Sequence, residues 1–162
     1  RYDTALFASK VKKIKEIMSD AFIGVDVIVG TRGETGEFFE NAYEFIAGLD
    51  VTQLHVFSYS ERPGTQALKI EHVVTPDEKH KRSQRLLTLS DEKTRSFYVR
   101  HTGQVMPVLM EKTKAGLPMH GFTTNYIRVE VENDPSLDNK VVNVLLGELN
   151  EEGTALKGTI LS

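Results

Sequence analysis

The stretch Asp26-Val-Ile-Val-Gly-Thr-Arg-Gly-Glu-Thr35 reads as a strand that runs into a glycine-bearing loop and then into a helix cap. A second stretch, His55-Val-Phe-Ser-Tyr-Ser-Glu-Arg-Pro-Gly-Thr65, repeats the design. Near-continuous Val and Ile, from Ile23 to Val29, predict a strand buried on both faces of a parallel sheet. Asp26 interrupts that run. In parallel α/β folds ligands gather at the carboxyl ends of strands, where loops vary over a rigid sheet. Each loop here carries an arginine and a glutamate beside its glycine, a set suited to an anionic or zwitterionic ligand.

Working outward, Phe7, Val11, Ile14 and Met18 fall at helical spacings before the first strand, with Asp3 or Thr4 as cap. Between the strands, a helix from about Glu37 to Ala47 is predicted to bury Phe38, Ala42, Phe45, Ile46 and Leu49. Thr35 is its expected N-cap and Gly48 its stop. The connections are long enough for right-handed crossovers between parallel strands, the second running from Leu54 to Tyr59. Thr75-Pro-Asp-Glu78 is a capping box with proline at the first helical position, opening a helix to about Arg100. Its early basic residues, among them Lys79 and Arg82, read as a solvated face or as a groove wall facing phosphate.

After His101 the pattern changes to short alternating runs between turns rich in Gly, Asn, Asp and Pro. Strands are predicted at Val105 to Met110, His120 to Thr123, Ile127 to Val131, Val141 to Leu146 and Ala155 to Ile160. Short strands in so few residues suggest a small closed antiparallel barrel, because closure removes exposed edges. The expected domains are therefore 1–101, α/β, and 102–162, a β-barrel.

The chain has 162 residues, no cysteine and a formal net charge of −3. Disulfides and thiolate metal sites are excluded within it, and no global basic field draws it to nucleic acid. Its five histidines show no metal-ligand spacing. Without a long apolar run or a signal segment, the expectation is a cytoplasmic protein with no membrane partner.

Together the motifs resemble the tRNA methylthiotransferases, a branch of the radical S-adenosylmethionine superfamily. Asp26-Val-Ile-Val-Gly-x-x-Gly-Glu-Thr35 matches the strand-loop which that family sets against S-adenosylmethionine, and Tyr59-Ser-x-Arg-Pro-Gly-Thr65 matches its next one. The tail is similar to a TRAM domain, an RNA-binding β-barrel. Leu54-His-Val-Phe-Ser-Tyr59 and Gly121-Phe-Thr-x-Asn-Tyr126 look most like the enzymes acting on N6-threonylcarbamoyladenosine, with the isopentenyladenosine branch as alternative. Thr31-Arg32 departs from the aromatic residue and proline common in the family.

The resemblance implies the C-terminal portion of a partial parallel β/α barrel followed by the TRAM-like barrel. It implies an enzyme that adds a methylthio group at C2 of a modified adenosine beside the anticodon. Its cofactors would be S-adenosylmethionine and two 4Fe–4S clusters, ligated by cysteines that this chain lacks. None is expected on the fragment itself, which alone should be inactive and would catalyse nothing. Its partners would be a tRNA anticodon arm and the N-terminal remainder of the same chain. A non-catalytic RNA-binding module is the reading that explains the missing cysteines without truncation.

On that reading Asp26, Gly30, Arg32, Gly33, Glu34, Phe57, Tyr59, Arg62 and Gly64 are the cofactor-binding candidates. Gly30 and Gly33 allow close approach of a ligand or form a tight turn. Glu34 bonds the cofactor or active-site backbone, or only complements the helix dipole. Asp26 either bonds a neighbouring strand end or faces the barrel interior. Phe57 lines an adenine pocket or fills the core. Arg62, before the rigid Pro63-Gly64 turn, is placed for a bidentate grip on carboxylate or phosphate. Asn125, Tyr126 and Arg128, with Lys79 and Arg82, are the RNA-binding candidates. Acidic residues nevertheless outnumber basic ones between 102 and 162.

Overall fold

The computed structural model describes residues 3–161 and divides into two compact units, one ending at Lys93 and the other starting at Thr94. The first is α/β. Helix α1 (Thr4–Ile17) starts where the Asp3 carboxylate accepts the Leu6 N–H at 2.8 Å. Strand β1 (Gly24–Val29), helix α2 (Gly36–Ala47) and strand β2 (Gln53–Ser58) follow. Thr35 caps α2 by accepting the Phe38 N–H at 3.2 Å. Helix α3 (Pro76–Val99) begins at the predicted capping box, where Thr75 Oγ1 accepts the Glu78 N–H at 3.3 Å. The division between the units falls inside α3.

Strands β1 and β2 pair in parallel, with Val25 beside Leu54, Asp26 beside His55 and Ile28 beside Phe57. This register sorts the two faces. Val25, Val27, Val29, Leu54 and Val56 pack with Phe7 and Val11 of α1, Phe39 of α2, and Leu86 and Leu89 of α3. The opposite face is open: Ile28 is 58% and Phe57 53% exposed. The expectation of a strand buried on both faces is thus corrected. Helices cover one side only, so β1 alternates in burial and Asp26 is solvated rather than buried.

The stripe predicted for α2 also shifts by one residue. Phe39, not Phe38, enters the core, because Phe39, Tyr43 and Ile46 share the face turned to the sheet, while Phe38 is 61% exposed and Ala42 is exposed as well.

In the second unit β3 (Val105–Met110), β4 (Met119–Thr123), β5 (Arg128–Val131), β6 (Val141–Leu149) and β7 (Leu156–Ile160) close into a barrel in the order β3-β4-β5-β7-β6. Val108, Met119, Ile127, Val129, Val144 and Leu156 fill it. The expectation of an antiparallel barrel needs one correction. β5 and β7 run parallel, joined over only Val129–Leu156 and Glu130–Lys157. A strand reached through the β6–β7 hairpin returns in the direction of β5, so closure by that neighbour cannot be antiparallel.

Two inward glycines, Gly121 and Gly158, suit so narrow a ring. A Cβ on Gly158 would lie 2.5 Å from a Val144 methyl and 2.7 Å from a Val129 methyl. Among the described residues, no helix is long and apolar enough to cross a membrane.

Candidate functional site

The carboxyl ends of β1 and β2 are where the polar side chains of the first unit converge. Gly30 ends β1 at φ +78°, a left-handed conformation that glycine holds without strain. Its N–H donates to Glu34 Oε1 at 2.9 Å. The guanidinium of Arg82 donates through Nη1 to the same carboxylate oxygen at 2.7 Å and to the Glu34 carbonyl at 2.9 Å. Its Nε donates to Glu78 Oε1 at 2.9 Å. Arg82 is 5% exposed and lies over the Phe39 ring at 5.2 Å. Burial disfavours its charge, but the bonds to Glu34 and Glu78 outweigh that, and its pKa is raised. Glu34 is therefore fixed from three directions, by a backbone amide, by Arg82 and by its position beside the α2 cap.

Lys79 closes the same corner. A Cβ on Gly30 would meet Lys79 Cγ at 2.4 Å, so the aliphatic stem of Lys79 occupies the space that the glycine leaves. Its Nζ donates to the Tyr59 carbonyl at 3.1 Å and lies 5.4 Å from the Tyr59 ring centroid. Tyr59 in turn extends the sheet, its N–H donating to the Val29 carbonyl at 2.9 Å. Lys79 and Arg82 thus hold the strand ends together. The solvated basic face of α3 is carried by others, such as Arg85, which pairs with Glu40 and packs on Tyr43 at 4.7 Å.

Arg32 forms a second clasp. Its Nε donates to Glu61 Oε1 at 2.7 Å, and its Nη1 to the Leu68 carbonyl at 3.2 Å and the Ile70 carbonyl at 2.9 Å. One guanidinium thus ties the loop after β1 to the loop after β2 and to a 3-10 turn over Gln66–Lys69. Gly33, at φ +85°, adds a bond from its N–H to the His72 carbonyl at 2.9 Å. The His72 ring lies within hydrogen-bond distance of the Glu34 carbonyl at 3.2 Å.

This clasp titrates. The hydrogen bond from Arg32, reinforced by its charge, holds the Glu61 carboxyl below its ordinary value of 4.5, with slight burial opposing. A carboxylate with a depressed folded pKa stabilises above the ordinary value and loses that contribution as pH falls through the folded one. Acidification below the ordinary value of 4.5 is expected to loosen residues 60–70 before the helices. Amide signals of that loop should broaden there, and Glu61→Gln should show the same broadening at pH 7. Identical loop spectra in wild type and variant at pH 7 would show the clasp to be idle.

What remains accessible is the open face of the sheet and the turn beyond β2. Asp26, His55, Ile28 and Phe57 present one polar and one apolar row, the apolar pair nearer the strand ends. Arg62 is exposed, followed by the Pro63-Gly64 turn in which Thr65 Oγ1 donates to the Arg62 carbonyl at 3.0 Å. Of the predicted candidates the fold brings Gly30, Gly33, Glu34, Tyr59, Lys79 and Arg82 into one network and leaves Asp26, Phe57, Arg62 and Gly64 open. Sequence reasoning missed Glu61, Glu78 and His72 as partners. Only Glu78 had a signal, its spacing of four from Arg82.

The barrel gathers a different set. Arg128 points outward between the fully buried Ile127 and Val129 and pairs across the ladder with Phe122. Asn125 and Tyr126 form the hairpin tip, Asn125 accepting the Thr123 hydroxyl at 2.7 Å. On another side a shallow groove of about 650 Å³ is lined by Leu117, Glu130, Glu132, Asn133 and Lys157, two carboxylates against one ammonium, a balance that disfavours phosphate. Among the described residues no group of three or more His, Asp or Glu is placed to hold a metal.

No family model matches the chain. A threonylcarbamoyladenosine tRNA methylthiotransferase of Bacillus subtilis (strain 168) is 32% identical over 89% of this chain and 33% of its own length. The chain belongs to the tRNA methylthiotransferase family. Similar to this chain over 99% of its length are two proteins named tRNA-2-methylthio-N(6)-dimethylallyladenosine synthase. That of Aquifex aeolicus is 32% identical over 36% of its own length, and that of Aliarcobacter butzleri 31% identical over 37%. The chain thus spans about a third of the length of the curated relatives it matches.

Proposed function

We propose that this chain serves an enzyme that adds a methylthio group to C2 of N6-threonylcarbamoyladenosine in tRNA. The relation to the Bacillus subtilis protein over 89% of the chain carries this reading. On it, residues up to 101 are part of a radical S-adenosylmethionine β/α barrel, and 102–162 are a TRAM-like barrel that meets the tRNA anticodon arm. The parallel β1–β2 pair with helices on one face and an open opposite face supports the first half. In a β/α barrel the face away from the helices looks inward.

The residues present fit one side of an S-adenosylmethionine site. Ile28 and Phe57 offer apolar surface for an adenine, and Arg62 an exposed guanidinium for a carboxylate. They do not fit an iron–sulfur cluster, because ligation requires thiolates and the chain has none. When bound, S-adenosylmethionine supplies the radical chemistry that opens the C2–H bond. This chain's own groups bind and orient: Glu34, held by Arg82, fixes the Gly30 turn, and the Arg32–Glu61 clasp fixes the loop that presents Arg62.

The dimethylallyladenosine branch is the second reading, favoured by the match to the Aquifex aeolicus protein over 99% of the chain. Nucleoside analysis of tRNA by mass spectrometry decides between them. The whole protein that carries this segment is expected to methylthiolate tRNA bearing the threonylcarbamoyl group. Modification of dimethylallyl tRNA alone would transfer the assignment to the second reading, and modification of neither would remove both.

A further inference from the structure

The tip of the β4–β5 hairpin is strained where an ordinary turn need not be. Tyr126 holds φ +62°, a region that a bulky L-residue rarely occupies. Such strain persists only where the surroundings over-determine it, and it marks functional positions. The surroundings here are explicit. The Tyr126 N–H donates to the Thr123 carbonyl at 3.1 Å, and the Ile127 N–H donates to Thr123 Oγ1 at 2.9 Å. The Thr123 hydroxyl donates to Asn125 Oδ1 at 2.7 Å. The Asn125 amide reaches the His101 Nε2 at 3.4 Å, and His101 Nδ1 bonds the Phe97 carbonyl at 2.9 Å. His101 is itself buried, 2% exposed, with its ring 4.8 Å from that of Phe97.

A chain of buried and half-buried polar groups therefore fixes one turn, and the side chain at its apex is 67% exposed. Glycine would hold the same φ without strain, whereas here a large aromatic side chain holds it and keeps most of its surface in solvent. An exposed aromatic ring on a fixed turn is what base stacking requires, because every nucleobase has a π-face and the backbone that carries the ring is already ordered. Two residues further on, Arg128 faces outward beside Phe122, a cation next to the platform for the phosphate flanking a stacked base.

We infer that Tyr126 is the stacking platform for an unpaired nucleobase, with Arg128 gripping the adjoining phosphate. Asn125 then leaves the set of RNA contacts and becomes the residue that positions Tyr126. The inference rests on the tRNA reading above and names where the barrel meets the RNA.

The test uses this chain and two synthetic probes, an anticodon stem-loop with 2-aminopurine in its loop and a fully paired duplex of similar composition. Wild type should bind the stem-loop more tightly than the duplex and quench the 2-aminopurine. Tyr126→Phe should behave as wild type. Tyr126→Ala and Tyr126→Gly should bind the stem-loop roughly 10- to 100-fold more weakly without quenching. Tyr126→Gly should at the same time raise the melting temperature, since it removes the strained conformation, so loss of binding cannot come from loss of fold. Unchanged stem-loop affinity in both variants would overturn the platform and leave the tRNA reading standing. Wild type that binds neither probe would overturn the two together.

Discussion

Arg82→Met is expected to destabilise the α/β unit by about 3 kcal/mol, the lower end of the cost of removing one member of a buried ion pair. Methionine replaces most of the volume that arginine lays over Phe39, so little of this loss is a packing loss. The cause is Glu34, whose side chain is 14% exposed and which would be left with the Gly30 N–H but without its cationic partner. For a unit of this size about 3 kcal/mol corresponds to a fall in melting temperature of roughly 15 °C. Adding Glu34→Gln should recover more than half of it, because a neutral amide still accepts from Gly30 and no longer needs a cation. Thermal unfolding of the single and double variants measures both steps. A single variant within 1 kcal/mol of wild type would mean that water already screens Glu34.

Gly158→Val should do comparable damage to the barrel by the opposite route. The new Cβ alone would sit 2.5 Å from Val144 Cγ1, 2.7 Å from Val129 Cγ1 and 3.0 Å from Val131 Cγ1, and the two added methyls have nowhere to go. Overpacking of this kind costs about 1–3 kcal/mol where neighbours can shift, and sometimes more. Val129 and Val144 are fully buried on paired strands, so the upper value of about 3 kcal/mol applies. Hydrogen exchange should then rise throughout β3 to β7 while β1 and β2 keep their protection. Gly64→Val, at an exposed turn with φ +80°, makes a useful contrast, because its penalty is local strain and leaves the barrel unaffected. Equal protection of the barrel in Gly158→Val and wild type would refute the close-approach argument.

Both positions show what a sequence discloses and what it withholds. The helix starts at Asp3, Thr35 and Thr75 were legible because a cap acts over three residues. All five barrel strands were legible from alternation and turn residues. Phe38 and Phe39 were not separable, since adjacent aromatics fit either of two helix phases and the sheet beneath chooses one. Asp26 looked buried because its neighbours are Val and Ile, and only the one-sided covering of the sheet showed it solvated. The partners of Glu34, Arg32 and Lys79 are long-range contacts, and nothing local in the sequence announces that Arg82 reaches Glu34 or that Arg32 reaches Glu61. Arginine and glutamate beside glycine correctly marked the loops as special. In the fold those charges mostly recognise one another, and Arg62 is the one left facing outward.

The short parallel junction of β5 with β7 has a kinetic meaning. The β3–β4, β4–β5 and β6–β7 pairings join neighbours along the chain and close small loops, whereas the ring also needs two longer-range junctions, β3 with β6 over five residue pairs and β5 with β7 over only Val129–Leu156 and Glu130–Lys157. The local pairings give a three-stranded meander and a hairpin, and docking one on the other makes both long-range junctions, so most of the loop-closure entropy is spent before those contacts form. Meander and hairpin form quickly and the ring forms late, and the two-pair junction, the thinner of the two seams, is where the cylinder is expected to open first.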